Sequence, residues 1–183
     1  MQHCRIKGFT LIEVLVAMFV LALGVAGAAG TQLSSARLRQ QAALASEAVQ
    51  LAASLGARMR VNSVQMGLPD ASNSYLDFDY DAAEGEPGAP PVQCFNGADC
   101  TPAQMAAFDL HEAARIVHGA FPGGRIVVCR DGGGWNAALQ SFEWTCSGGA
   151  GAPVVVKLGW RAPGSGGGPA PDATLFVTMV VAG

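Results

Sequence analysis

Chemistry in this sequence concentrates first on Glu13, the only charged residue between Phe9 and Gly30. A carboxylate inside a membrane-length apolar run costs a few kcal/mol even on lenient insertion scales, and it persists there when it has a partner. The partner must be a cation. If the chain is cut between Gly8 and Phe9, the new α-amino group lies four residues before Glu13, about 6 Å along a helix at 1.5 Å per residue. The amine of a neighbouring, staggered subunit would then meet this carboxylate inside an apolar layer, where the attraction is strong and sets register.

The remaining reactive residue types collect after position 69. Cys94, Cys100, Cys129 and Cys146 form an even set there, while Cys4 falls in a short basic leader, so the pattern points to an oxidising compartment such as a bacterial periplasm. Reduced core thiols or a zinc site are the alternatives. Zinc is disfavoured because the chain has no C-x-x-C pair and His111 and His118 lack ligand spacing. Asp77, Asp79 and Asp81 imitate the start of an EF-hand loop, but its sixth position is Ala82 and its twelfth Gly88, so a solvated acidic loop is the better reading. Asp109, His111 and Glu112 could suggest acid–base work, yet no nucleophile accompanies them and they read as an exposed helix face. Gly132–Gly134, Gly148–Gly151 and Gly164–Gly168 are loops and not phosphate cradles, since none continues into Gly-Lys-Ser/Thr. No catalytic residue, metal ligand or cofactor is expected. A net charge of −3 leaves no basic footprint for nucleic acid, and Arg37, Arg39, Arg58 and Arg60 read as a solvated or partner-facing helix side.

These groups need elements to place them. Arg5 and Lys7 lead directly into the apolar residues 9–30, which predicts a membrane helix with its N-terminus inside and its C-terminus outside. Conventional signal cleavage near Ala26–Gly30 is the alternative. Beyond Thr31 the pattern turns amphipathic, with Leu44, Ala48, Leu51, Leu55 and Met59 on one stripe, so the helix continues to about Arg60 and lays that stripe on a globular head. Gly24, Gly27 and Gly30 either allow close helix packing or let the helix bend locally.

Residues 62–91 read as a long acidic connection. Thr101-Pro102-Ala103-Gln104 is a capped helix start, and Ala106, Leu110, Ala113 and Val117 give that helix an apolar stripe ending near Gly119. Segments 125–130, 141–147, 153–161 and 174–181 read as antiparallel strands. In the third of these, Val156, Leu158 and Trp160 should face inward, with Lys157, Gly159 and Arg161 outward. If the first two form a hairpin over Asp131–Gln140, Cys129 and Cys146 fall opposite each other, and Cys94 is left to pair with Cys100, the most local of three connectivities.

Gly8-Phe9-Thr10-Leu11-Ile12-Glu13-Val14-Leu15-Val16-Ala17 resembles the processing site of type IV prepilins and pseudopilins, nearly residue for residue. Met59-Arg60-Val61-Asn62, Cys100-Thr101-Pro102-Ala103-Gln104-Met105-Ala106, Phe108-Asp109-Leu110 and Pro122-Gly123-Gly124 resemble PilV-type minor pilins, with a departure at Ala113. The resemblance implies an α+β pilin-like fold, in which a long N-terminal helix packs on an antiparallel sheet with a short second helix. It implies a leader, 1–8, removed by a prepilin peptidase with N-methylation of Phe9, and an assembly role for Glu13. The helix would comprise a membrane half, 9–30, and an amphipathic half, 31–61, followed by a periplasmic head, 62–183. Other major and minor pilins, the inner-membrane assembly platform and a tip adhesin are the implied partners. A non-enzymatic subunit that primes pili for twitching and attachment is the implied function; a type II secretion pseudopilin and a membrane-anchored enzyme or binding module are the alternatives.

Overall fold

A computed structural model describes residues 8–76, 78–90, 92–96, 98–138, 141–149, 151–161 and 174–182. The chain forms two compact units, the first ending at Gln40 and the second beginning at Gln41. Helix α1, Leu11–Val61, belongs to both.

In the first unit α1 is continuous through Gly24, Gly27 and Gly30, although each glycine weakens a helix by up to about 1 kcal/mol relative to alanine. Every residue from Gly8 to Gln40 is exposed. An 18-residue window in α1 has a mean hydropathy of 2.5 with none of it buried, so the helix is long and apolar enough to cross a bilayer. An apolar surface of this extent without a protein core to cover it requires another apolar medium.

The second unit holds the rest of α1, a single turn α2 (Ser63–Met66), β1 (Phe78–Asp81), α3 (Pro102–Ala120), β2 (Arg125–Arg130), β3 (Trp135–Asn136), β4 (Ser141–Phe142), β5 (Val154–Trp160) and β6 (Thr174–Ala182). Strands β1, β2, β5 and β6 make an antiparallel sheet in that order, and β3 with β4 makes a separate two-stranded ribbon. Period-2 alternation sorts the sheet into two faces. Ile126, Val128, Val156, Leu158 and Trp160 join Leu44, Ala48, Leu55 and Met59 of α1 and Ala106, Leu110 and Val117 of α3 in the main core. Val127, Cys129 and Val155 form a smaller cluster on the opposite face, with Trp144 packed against it. Trp160 anchors the main core: it lies against Phe121 with ring centroids 5.4 Å apart and donates its indole N–H to Gln41 Oε1 at 3.3 Å.

Helix α3 opens on a full capping box. Thr101 Oγ1 accepts from the Gln104 N–H, and Gln104 Oε1 accepts from the Thr101 N–H at 2.9 Å, which satisfies two otherwise orphaned donors. The helix runs past Gly119 to Ala120. Its exit depends instead on Gly123, whose φ of +54° suits glycine and whose missing Cβ leaves room for the Arg161 side chain.

Three expectations from the sequence are corrected. Segment 141–147 does not pair with β2: both edges of β2 are taken, by β1 and β5, and only Ser141–Phe142 forms a strand, against Trp135–Asn136. The acidic connection contains an edge strand, Phe78–Asp81, because the Arg125 guanidinium on the neighbouring strand neutralises Asp79. Strand β5 is buried on both faces, Lys157 included, because the segment after β4 covers its outer side.

At Gly56, α1 lies close against β6. A Cβ there would stand 2.6 Å from Val181 Cγ1, and the β-branched Val181 has little freedom to yield. Gly56→Ala should therefore destabilise the protein by about 1–3 kcal/mol despite alanine's better helix propensity. Thermal melting checks this, and Val181→Ala in the same chain should recover most of the loss.

Candidate functional site

The N-terminal site is built from a helix start. Gly8, Phe9 and Thr10 precede the helix and are exposed, so the Gly8–Phe9 peptide bond lies in open backbone outside the first turn. Thr10 occupies the N-cap position and Glu13 the third helical position. The Thr10 N–H points to Glu13 Oε2 and the Glu13 N–H to Thr10 Oγ1, each at 3.4 Å, a loose capping box. The positive end of the helix dipole favours an anion here as well. Glu13 therefore has a local role beyond any contact between subunits, and the Thr-x-x-Glu spacing that signals it stands in the sequence. The carboxylate borders a shallow groove of about 350 Å³ whose other walls are Phe9, Val14, Ala17, Met18 and Leu21. Arg5, Lys7 and Cys4 lie outside the described residues.

In the head, polar braces supplement the apolar core. The first joins α1 to α3. Arg58 Nη1 donates to Asp109 Oδ1 at 3.0 Å, the Tyr75 hydroxyl donates to Asp109 Oδ2 at 2.7 Å, and Asn62 Nδ2 reaches Tyr75 Oη at 3.3 Å and the Pro102 carbonyl at 2.7 Å. Burial, with the adjacent Asp109 carboxylate, holds the Tyr75 hydroxyl well above the usual phenol range, so it stays a donor. Asp109 is buried and not on an exposed face, which corrects the sequence reading: it sits beside Leu110 on the inner side of α3 and finds its cation 51 residues away. Arg60, the other arginine of this turn, donates to the Val181 carbonyl at 3.1 Å.

The second brace centres on Lys157, whose side chain is 0% exposed. An ammonium has three donors. Here they meet Asp131 Oδ2 at 2.5 Å, the Glu143 carbonyl at 2.9 Å and the Thr145 carbonyl at 2.8 Å. Asp131 also accepts from the Ser147 hydroxyl at 2.7 Å and from the Ser147 and Gly133 N–H groups. Burial alone would raise this carboxyl, but the Lys157 ammonium and the three other donors outweigh it and bring the pKa to about 2.

The disulfides tie the same regions. Cys129 joins Cys146 with Cα atoms 6.3 Å apart, fastening β2 to the segment beyond β4, and Cys94 joins Cys100 at 5.8 Å, next to the Thr101 cap. The pairing of Cys129 with Cys146 does not need the expected hairpin, because the Lys157 contacts bring the second cysteine over β2. Among the described residues no group of three or more His, Cys, Asp or Glu side chains could hold a metal. Asp79 forms a bidentate pair with Arg125, His118 Nδ1 lies 2.9 Å from the Tyr80 hydroxyl, and Glu112 pairs with Arg115. Asp77 and Gly164–Gly168 fall outside the described residues.

An uncovered apolar helix that opens on Gly-Phe-Thr-x-x-Glu and carries an α+β head with an antiparallel sheet defines a pilin-like subunit. Residues 4–29 match the prokaryotic N-terminal methylation motif and residues 30–111 match the family of the type IV pilin Tt1218, so the chain is a type IV pilin-like protein. No curated protein and no solved structure matches it.

Lys157→Met leaves a buried carboxylate without its cation and should cost about 3–5 kcal/mol, most of it regained in Lys157→Met/Asp131→Leu. Asp131 also predicts a pH limb. Its folded pKa is depressed, so its contribution is complete above the ordinary carboxylate value and is lost as pH falls through about 2. On the order of 2 kcal/mol should disappear over that range, and Asp131→Asn should flatten the limb in acid denaturation followed by circular dichroism.

Proposed function

We propose that the chain is a minor pilin that primes or modifies type IV pilus assembly, in the manner of the PilV-type proteins it resembles, and that it supports twitching motility and attachment as a structural subunit without enzymatic activity. The observation that carries this reading is Glu13 at the capped start of an uncovered apolar helix, directly after an exposed Gly8–Phe9 bond. A prepilin peptidase cuts that bond and Phe9 is N-methylated. Before assembly the subunit spans the inner membrane once, with its basic leader on the cytoplasmic side and its head in the periplasm.

Assembly on the inner-membrane platform moves α1 from lipid into a bundle of other major and minor pilins. One apolar medium replaces another, so burial itself contributes little and the charge pair decides where the subunit stops. The Phe9 amine of one subunit and Glu13 of its neighbour supply that pair. A tip adhesin is a further partner, and the mature protein resides in the surface pilus.

N-terminal mass spectrometry of the mature protein tests the processing: Phe9 carrying one added methyl group is expected, and an intact Met1 or any other terminus overturns it. Glu13→Ala should reduce surface pili at least tenfold while the head remains folded. Deleting the gene should lower pilus number with secretion intact; the reverse would identify a type II secretion pseudopilin.

A further inference from the structure

The last turn of α1 and the first turns of α3 leave a groove of about 540 Å³ between them. Val61, Pro102 and Met105 give it apolar walls, and Arg58, Asn62 and Asp109 supply polar groups. Val61 is 86% exposed, although the helix it ends is buried against the head at Leu55 and Met59. Mainly apolar walls with a few convergent polar groups are the usual form of a binding site of this size.

The polar groups are fixed in place, and two of them have bonding capacity left. The Pro102 carbonyl can only accept, so the Asn62 amide nitrogen must face it, at 2.7 Å. The same nitrogen reaches the Tyr75 hydroxyl at 3.3 Å. The amide is thereby oriented, and its oxygen, which accepts from none of the described residues, is left as an acceptor. Arg58 spends one of its five N–H donors on Asp109 Oδ1 at 3.0 Å, and its side chain is 47% exposed. Asp109 is closed to a ligand: its side chain is 5% exposed and its second oxygen takes the Tyr75 hydroxyl. The Arg58 and Asp109 charges cancel, and Glu112, which also feels Arg58, is paired with Arg115, so the groove selects no ion.

Arg58 and Asn62 are four residues apart on one helix face, about 6 Å along the axis. A donor and an acceptor side by side match the C=O and N–H that one residue of an extended chain presents on the same side, as in the hydrogen-bonded pairs of an antiparallel ladder. The apolar walls suit that residue's side chain. We propose that this groove receives an extended segment of a partner protein, with one bulky apolar side chain between Val61 and Met105, its carbonyl accepting from Arg58 and its N–H donating to Asn62 Oδ1. The bridge between Cys94 and Cys100 and the Thr101 capping box hold the α3 wall, which lowers the ordering cost of binding. The site goes beyond the filament role and does not rest on it.

The test uses the full chain in lipid nanodiscs, where no free detergent competes for an apolar groove, with isotope-labelled methionine methyls read by NMR. The probe is N-acetylphenylalanine N-methylamide, a single residue with both its peptide groups. It should shift the Met105 methyl, assigned through Met105→Leu, in a saturable way, and the N-acetylglycine analogue should not. Ala57 is exposed and lines the groove, so Ala57→Phe fills it and should weaken binding at least tenfold. Arg58→Lys keeps a cation for Asp109 but loses the planar fork, and should weaken binding at least threefold. Melting curves show that both variants are folded. No saturable shift, or a shift unchanged in Ala57→Phe, overturns the proposal. So does toluene binding as tightly as the methylamide, which would make the groove a site for small apolar molecules, or tighter binding of N-acetylphenylalanine as the free acid, which would make it a carboxylate site. None of these readouts involves the N-terminus or pili, so this result and the filament reading stand or fall separately.

Discussion

One helix has to be at home in two media. From Leu11 to Gln40 its surface is uncovered, and apolar as far as Gly30, whereas from Gln41 onward a stripe of Leu44, Ala48, Leu55 and Met59 disappears beneath a sheet and a second helix. The composition of α1 changes accordingly, from uniform apolarity to a helical stripe, with no break in the backbone hydrogen bonding between them. Most other features of the head answer to this arrangement. The sheet supplies a face for the stripe, α3 closes its side, and Arg58 and Arg60 use their charge on the last turn of α1 to fix Asp109 and the Val181 carbonyl.

The two faces of the sheet are closed by different physics. The inner face is covered by large apolar side chains in contact with two helices. Among the described residues, the apolar cluster on the outer face is Val127, Cys129 and Val155 with Trp144 against it, too few to hold down a chain segment by apolar burial alone. A buried ammonium with three acceptors takes over that task, and a disulfide reinforces it. A buried ion pair of this kind gains little net stability over an apolar replacement, but losing one member is costly, so it specifies position more than it adds stability.

Elements whose signal is local were legible in the sequence. The Thr101 capping box, the stripe of α1 and the β-branched runs of β2 and β5 all follow from residues a few positions apart, and so does the N-terminal methylation motif matched over residues 4–29. What escaped depends on partners far along the chain. Asp79 reads as a loop residue until Arg125 is placed beside it, Asp109 as a surface acid until Arg58 is, and Lys157 as the outward member of a strand until Asp131 and two carbonyls surround it. In each case a charge looks solvated because its counter-charge is invisible at short range. The capping contact of Thr10 with Glu13 is different: its spacing was in view, but the stronger puzzle of a carboxylate in an apolar run drew the whole reading.

The bridge between Cys129 and Cys146 would acquire a mechanical meaning if the head were loaded in tension. Tension carried along the backbone would reach Cys129 and cross directly through sulfur to Cys146, a shortcut over a sequence separation of 17. The glycine-rich ribbon and the Trp144 segment lie inside that bypass. They would hang from the line of force without bearing it, and so keep their shape while the strands on either side were loaded.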